Sequence, residues 1–346
     1  MKRYELITSH RINQGDSRLL RNVDRDSVDL VITSPPYPMI EMWDETFEML
    51  NPQLNPNLIA SSPEKSYDLM HDELNKVWEE MFRVLKPGRI ACINIGDATR
   101  TTNEKFKLYT NHARITEAMQ ATGFHSLPNI IWKKPTNAPN KFMGSGMLPV
   151  GAYVTLEHEF ILIFRKGEKQ RFRKSEEKKA RQRSAYFWEE RNTWFSDIWD
   201  LKGTRQKMTG VSRKRSAAYP IEIPYRLINM FSMAGETVLD PFNGTGTTTR
   251  AAIENGRNSI GFEINESLVA SQKQQLLGTP ISEFQERQKS RINAHRNFIE
   301  SKGEGYFKHF NTHHGFKVKT RQEMELVILC AKRMEDQNGI LHVTHE

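Results

Sequence analysis

The apolar positions along the chain fall into short continuous runs separated by helical patterns, the rhythm of an α/β sheet covered on both faces. Residues 5–16 open on a short apolar stretch and reach Asn13-Gln14-Gly15-Asp16. Val28-Asp29-Leu30-Val31-Ile32 predicts a short buried strand, which Pro35-Pro36 ends. Residues 38–70 hold scattered Pro, Asn, Met, Trp and Phe without a period and predict a long irregular loop. Leu74, Val77, Trp78, Met81, Phe82 and Leu85 recur at helical spacing, so 72–86 predicts an amphipathic helix stopped by Lys86-Pro87-Gly88. A strand over 89–95, a helix over 110–122 ending at Gly123, and a strand over 126–133 follow. A Pro/Gly/Asn-rich loop over 136–152 then leads to an apolar strand over 157–164, expected at an antiparallel edge. After Tyr219-Pro220 the pattern predicts a helix over 221–233, a strand over 237–240, a helix from Thr247 to Asn255 and a strand over 258–263. Residues 281–346 are polar and helix-prone, with an apolar patch at Leu326-Val327-Ile328-Leu329.

Charge changes this picture in one place. The 346 residues carry a net charge of +8. Residues 165–215 hold 17 Lys and Arg against 7 Asp and Glu, a surplus of ten that exceeds the whole chain's. Phe172, Tyr186, Phe187, Trp188, Trp194, Phe195 and Trp199 are interleaved with these charges. A solvated basic face is one reading; basic residues mixed with aromatics better suit phosphate contacts joined to base or sugar contacts. Two cysteines, Cys92 and Cys330, make no disulfide framework. No Cys/His set has metal-site spacing, and His313-His314 lacks the partners of one. Neither a signal-peptide core nor a membrane-length apolar run is present, so a cytoplasmic, soluble chain with no membrane partner is expected.

Two stretches carry candidate chemistry. Thr33-Ser34-Pro35-Pro36-Tyr37 places a hydroxyl, a stiff carbonyl and an aromatic ring at a strand end, where open α/β sheets bind ligands. A plain strand-ending turn explains these five residues equally well. Asp240-Pro241-Phe242-Asn243-Gly244-Thr245-Gly246 is a strand end followed by a glycine turn and a helix start. Gly244 and Gly246 allow close backbone approach, and the helix N-terminus offers free N–H groups. The turn lacks the GxxxxGK[ST] of a triphosphate loop and falls short of GxGxxG. Glu263 closes the next strand, where a βαβ nucleoside site holds ribose hydroxyls. Gly15-Asp16 alone reads as a surface turn.

Together these residues resemble the DNA amino-methyltransferases. Asp240–Gly246 resembles their S-adenosylmethionine motif and Thr33–Tyr37 their catalytic motif. The catalytic motif comes first, with a basic variable segment between, which is similar to the circularly permuted β group. The resemblance implies a Rossmann-like S-adenosylmethionine-dependent methyltransferase fold, α/β and permuted. It divides the chain into a catalytic half (1–164), a target-recognition segment (165–215), a cofactor half (216–280) and a C-terminal extension (281–346). It implies that Phe242, Asn243, Gly244, Thr245 and Gly246 cradle the methionine part of the cofactor, with Asp240 at the strand end. It implies further that Glu263 binds ribose, that Asp16 contacts the adenine amino group, and that Ser34, Pro35, Pro36 and Tyr37 hold a flipped target base. Trp132-Lys133-Lys134-Pro135 resembles a motif near that base, although Trp132 also fits the core. Ser before Pro-Pro implies cytosine N4 as the methyl acceptor. Adenine N6 is the alternative, and a DNA-binding protein without activity the second. Double-stranded DNA is the implied partner, with a cognate restriction endonuclease acting on the same site.

Overall fold

Every residue of Val28–Thr33 is buried, because the strand lies mid-sheet with a helical layer on each face. Leu30 and Ile32 pack with Tyr225, Leu227 and Ile228 of the helix Glu222–Phe231 and with Ala251 and Ala252 of Thr247–Glu254. Val31 packs on the opposite face with Leu74, Val77 and Trp78 of Pro63–Val84 and with Ile115 of Asn111–Thr122. Burial on both faces is why the strand reads as a continuous apolar run.

The computed structural model describes residues 5–134, 143–203, 219–303 and 305–346. Among these, ten strands form one mixed sheet. Their order is Ile198–Asp200, Phe124–Lys133, His158–Lys166, Leu85–Ile95, Val28–Thr33, Thr237–Asp240, Asn258–Glu263, Leu6–Gln14, Ile340–His345, Ala331–Gln337. The strands from Leu85–Ile95 to Leu6–Gln14 are parallel. His158–Lys166 is antiparallel to both its neighbours. The strand order reverses between Val28–Thr33 and Thr237–Asp240: from the first the chain crosses to Leu85–Ile95, from the second to Asn258–Glu263. Their adjacent carboxyl ends flank the crevice where doubly wound sheets bind ligands. The Ser-Pro-Pro-Tyr strand precedes the glycine-turn strand in the chain, so the permuted arrangement is observed. No helix among the described residues is long and apolar enough to cross a membrane.

Three stretches depart from expectation. Residues 38–70 are not one irregular loop; they hold Asp44–Leu50, Pro56–Ser61 and the first turns of Pro63–Val84. Pro56 and Pro63 stand in the first turns of their helices, where a missing N–H costs nothing, and Asn55 caps the first by accepting from Leu58 N at 3.0 Å. Lys86-Pro87-Gly88 lies inside the strand Leu85–Ile95, with Gly88 at φ +82°. The C-terminal extension, after the helix Ile281–Glu300, returns as the hairpin Ala331–Gln337/Ile340–His345 and joins the central sheet. Asn338 (φ +55°) and Gly339 (φ +82°) make its two-residue turn, the pairing that this hairpin geometry favours.

Candidate active site

The two motifs meet at the carboxyl ends of adjacent strands. Thr33 donates to Asp240 Oδ1 at 2.7 Å, tying the Ser-Pro-Pro-Tyr strand to the glycine-turn strand. Asp240 also accepts from Thr248 at 2.6 Å and from Phe242 N at 3.0 Å. Burial pushes its carboxyl up to about 6, against the pull of those three donors, and the charge of Glu263 adds to the rise.

Beyond Thr33, Pro35 and Pro36 are buried, and Ser34 and Tyr37 are half-buried. Ser34 Oγ lies 3.2 Å from the Tyr37 hydroxyl, which donates to Glu159 Oε2 at 2.9 Å. Asn94 Nδ2 donates to both Tyr37 and Glu159 at 2.8 Å and reaches Ser34 Oγ at 3.5 Å. Lys134 Nζ donates to Glu159 Oε1 at 2.8 Å. Burial holds the Tyr37 phenol well above its ordinary value, and the Glu159 charge reinforces this. Asn94 is 3% exposed, and its Oδ1 is buried with no partner among the described residues. The Tyr37 ring lies close enough to Gly96 that a Cβ there would meet it at 3.1 Å. Glu159 and Asn94 belong to neither motif. The available signals were an Asn interrupting Ile90-Ala91-Cys92-Ile93-Asn94-Ile95 and an acid at the head of an apolar strand. Trp132 is 1% exposed and donates to Leu201 O, so it belongs to the core; Lys134 is the member of that stretch that reaches the site.

The glycine turn is held from behind. Gly244 and Gly246 take φ of +50° and +82°, where a side chain is strained. Asn243 is buried; its side chain donates to Gln272 Oε1 at 2.8 Å and accepts from Thr249 at 3.1 Å, while Gln272 returns a bond to Gly244 O. Asn243 thus fixes the turn's shape from behind. Ser17 donates to Pro241 O, bringing the Gly15-Asp16 loop against the turn. Glu263 accepts from Gly244 N at 3.0 Å and from Asn265 N at 2.8 Å, and its carbonyl accepts from Gly15 N. Asp16 is clasped by Arg18 at 2.6 Å, and Arg18 also meets Glu73. Burial raises the Asp16 carboxyl, but hydrogen bonds and charge from Arg18 outweigh that and leave it below the usual range. A cavity of about 350 Å³ opens on this side, lined by Asp16, Arg18, Leu19, Lys76, Glu79 and Glu80. The Ser-Pro-Pro-Tyr motif, the glycine turn, Glu263 and the Gly15-Asp16 loop therefore gather at the carboxyl ends of neighbouring parallel strands, with Asp240 and Asn243 buried behind them.

The basic segment does not lie along one edge. Lys166 bonds Asp26 and the Leu85 carbonyl at the start of the parallel strands, and Glu168–Gln170 sit against Gly88. Ser184 accepts from Ala234 N, just before Thr237–Asp240 begins. Residues 165–183, with ten of the 17 basic residues, thus stand at the edge opposite Ser34. Ile198–Asp200 then returns parallel to Phe124–Lys133, bringing Leu201–Gly203 up beside Trp132 and Lys134. Residues 204–218, with five more, lie outside the described residues.

Comparison with known proteins agrees with this geometry. The Type II methyltransferase M.MthZI of Methanothermobacter thermautotrophicus is 50% identical over 326 residues, covering 92% of this chain and 90% of that protein. M.MjaI of Methanocaldococcus jannaschii is 52% identical over 279 residues, 78% of this chain and 91% of its own length. TTHA0409 of Thermus thermophilus, solved with S-adenosyl-L-methionine, superposes with a TM-score of 0.59 at 32% identity, covering 77% of this chain and 92% of that one. The cytosine-N4-specific PvuII DNA methyltransferase shares the fold, with a TM-score of 0.57 at 17% identity over 83% of this chain and 94% of that one. With a family model for DNA methylases also matching residues 28–274, this chain belongs to the N6/N4 DNA methylase family.

Proposed function

We propose that this DNA methylase transfers a methyl group from S-adenosylmethionine to the exocyclic N4 of a cytosine extruded from duplex DNA, as the modification arm of a Type II restriction system. The cofactor is S-adenosylmethionine, and its sulfonium supplies an electrophilic methyl group. The crevice fits it. Open space stands where a Cβ on Gly244 would lie, Gly246 lets Gln272 pack close behind the turn, and the N-terminus of Thr247–Glu254 offers free N–H groups. Glu263 ends the neighbouring strand with its carboxylate against Gly244 N, and as an acceptor beside the turn it would take the ribose hydroxyls. Asp16 would take the adenine amino group while Arg18 fixes its direction.

The observation that carries the reading is the Ser34–Tyr37–Glu159–Asn94 network beside that crevice. An exocyclic amino nitrogen is a poor nucleophile because its lone pair is delocalised into the ring. It becomes competent when acceptors hold its hydrogens and favour a tetrahedral nitrogen. Ser34 Oγ and the Pro35 carbonyl would be those acceptors, and Glu159 sets the direction of the hydroxyl bonds at Tyr37 and Ser34. An ionised Glu159 can only accept, so Tyr37 spends its proton there. The Tyr37 oxygen then accepts from Asn94 and from Ser34, which leaves the Ser34 oxygen able to accept from a substrate amino group. Catalysis is positioning and electrostatics, without a covalent enzyme intermediate. Cysteine-based C5 chemistry has no nucleophile here: Cys92 is buried with its thiol pushed up by burial, and neither cysteine follows a proline. Incubation with methyl-labelled cofactor and duplex DNA, followed by nucleoside analysis, tests the proposal. N4-methylcytosine is expected. Label on adenine would overturn the choice of base, and no label in any DNA would overturn the reaction.

A further inference from the structure

Two arms rise beside Ser34 from the same edge of the sheet. The hairpin of Ala98–Thr102 and Lys105–Tyr109 leaves Leu85–Ile95 just past Gly96, the residue against which the Tyr37 ring packs. The second arm, 143–157, leads into His158–Lys166, whose second residue is Glu159. Met143–Gly144 pairs with Ala152–Tyr153 and closes that arm into a tip. Tyr153 stacks on Phe106 of the hairpin, with centroids 4.5 Å apart and planes at 10°, so each arm braces the other.

The tip is apolar and stands in water. Met147, Leu148, Val150 and Val154 are 85%, 69%, 99% and 85% exposed. A braced cluster of large exposed apolar side chains marks a surface that is covered when the protein works. Its position selects what covers it. A protein partner seated on these arms would close the route to Ser34 that the target base must take. The flanks carry cations, most of them paired with a nearby acid. The hairpin carries Arg100, Lys105 and Lys107 against Glu104, with Arg100 pairing Asp44 and Lys107 pairing Glu64 nearby, and Lys133 and Lys134 stand at the foot of the other arm. Apolar side chains gain nothing from phosphates. They fit the stacked interior of a duplex, where such wedges part base steps, and an extruded base leaves a gap there to fill.

We propose that the Met147–Val154 tip is a wedge that enters the duplex beside the target base and fills the space the flipped base leaves. The proposal rests on the DNA methyltransferase reading, and the wild-type rate on a paired duplex tests that reading separately. The experiment compares wild type with the Met147→Ser/Leu148→Ser/Val150→Ser variant on two duplexes carrying the site located by methylome sequencing. One duplex is fully paired; the other has an abasic position opposite the target base, which removes the cost of unpairing. The variant should lose about tenfold or more in kcat/KM on the paired duplex and return to within about twofold of wild type on the abasic one. Cofactor binding by calorimetry should be unchanged, since none of the three residues touches the crevice. An unchanged rate on the paired duplex would overturn the wedge, and so would an equal loss on both duplexes. A wild-type dimer that the variant dissociates would assign the tip to a second copy of the chain and overturn it likewise.

Discussion

Glu159 is worth more to the proposed reaction than its absence from either motif suggests. It accepts from the Tyr37 hydroxyl, from Asn94 and from Lys134, so one carboxylate collects three donors around Ser34 and fixes the direction of the Tyr37 hydroxyl. Glu159→Gln puts a donor where the network needs an acceptor. It should lower kcat by roughly 10–100-fold with little change in the KM for cofactor. Tyr37→Phe keeps the ring and removes the hydroxyl, so the double variant should be no worse than the worse single one; additive losses in steady-state kinetics would break the link. Asp240 gives a prediction in pH. Its carboxyl stands at about 6 against an ordinary 3.8, so between those values the native state binds more protons than the unfolded one, and stability falls as pH rises through that window. Asp240→Asn does not titrate. Denaturant unfolding should therefore show the variant gaining on wild type, by up to about 3 kcal/mol, between pH 4 and 7. A pH-independent difference would refute the buried-carboxylate account. Ser34, Asp240 and Gly244 were visible in the sequence because each lies within a short contiguous motif, and Glu263 because it closes the strand after one. Glu159 and Asn94 were not, because their partners come from four separate segments that only the folded sheet brings together.

Elements were legible where one period governed them and illegible where a few residues carried the signal. The central strands announced themselves as apolar runs, and Pro63–Val84 by its helical spacing. The prolines of 38–70 read as breakers because nothing local distinguishes a first-turn proline from one in a loop. The C-terminal hairpin hid in polar sequence: Ala331–Gln337 is an edge strand with most side chains in water, and only Asn338-Gly339 betrays the turn. The hairpin docks by pairing with Leu6–Gln14 and by packing Ala331, Leu341 and Val343 on Ile12 and Phe284, and a small polar cluster is buried in that contact. Thr8 lies 2.9 Å from both His10 and His345, and His10 reaches Ser259 at 2.8 Å. Burial lowers His10 to about 3, helped by His345 and His342, and lowers His345 to about 4, helped by Arg257. His345 is neutral when docked and charges near pH 6.5 when the hairpin is released, while His10 stays on Leu6–Gln14 against Ser259. The opened state therefore binds more protons below that pH, and docking weakens as pH falls, by about 1.4 kcal/mol per pH unit for His345. Hydrogen exchange, corrected for its intrinsic pH dependence, should show 331–345 opening far more readily at pH 5 than at pH 7. Equal protection at both would show that His345 does not govern docking.

At the scale of the molecule, the sheet sorts charge that the sequence presents as one block. Composition placed a surplus of ten over 165–215 and suggested a single DNA-contacting segment. The strand His158–Lys166 runs away from Ser34, so it delivers 165–183 to the far edge, and only after Ile198–Asp200 does the chain return. Direction of travel along a strand is a tertiary fact that no charge count contains. It makes the two basic groups separable by experiment. On the proposed function DNA would approach the carboxyl edge; Arg205, Lys207, Arg213, Lys214 and Arg215 fall between Gly203 and Tyr219 in the sequence, outside the described residues. Each phosphate contact contributes about 0.9 to the slope of log affinity against log salt. Neutralising those five residues should therefore flatten the slope by several units and raise the KM for DNA. Neutralising Lys169, Arg171, Arg173 and Lys178 on the far edge should leave both nearly unchanged, although it removes almost as much charge. If the slope instead tracks total charge, with the two variants equivalent, DNA must wrap to the far edge, and the crevice beside Ser34 would be one end of a longer track.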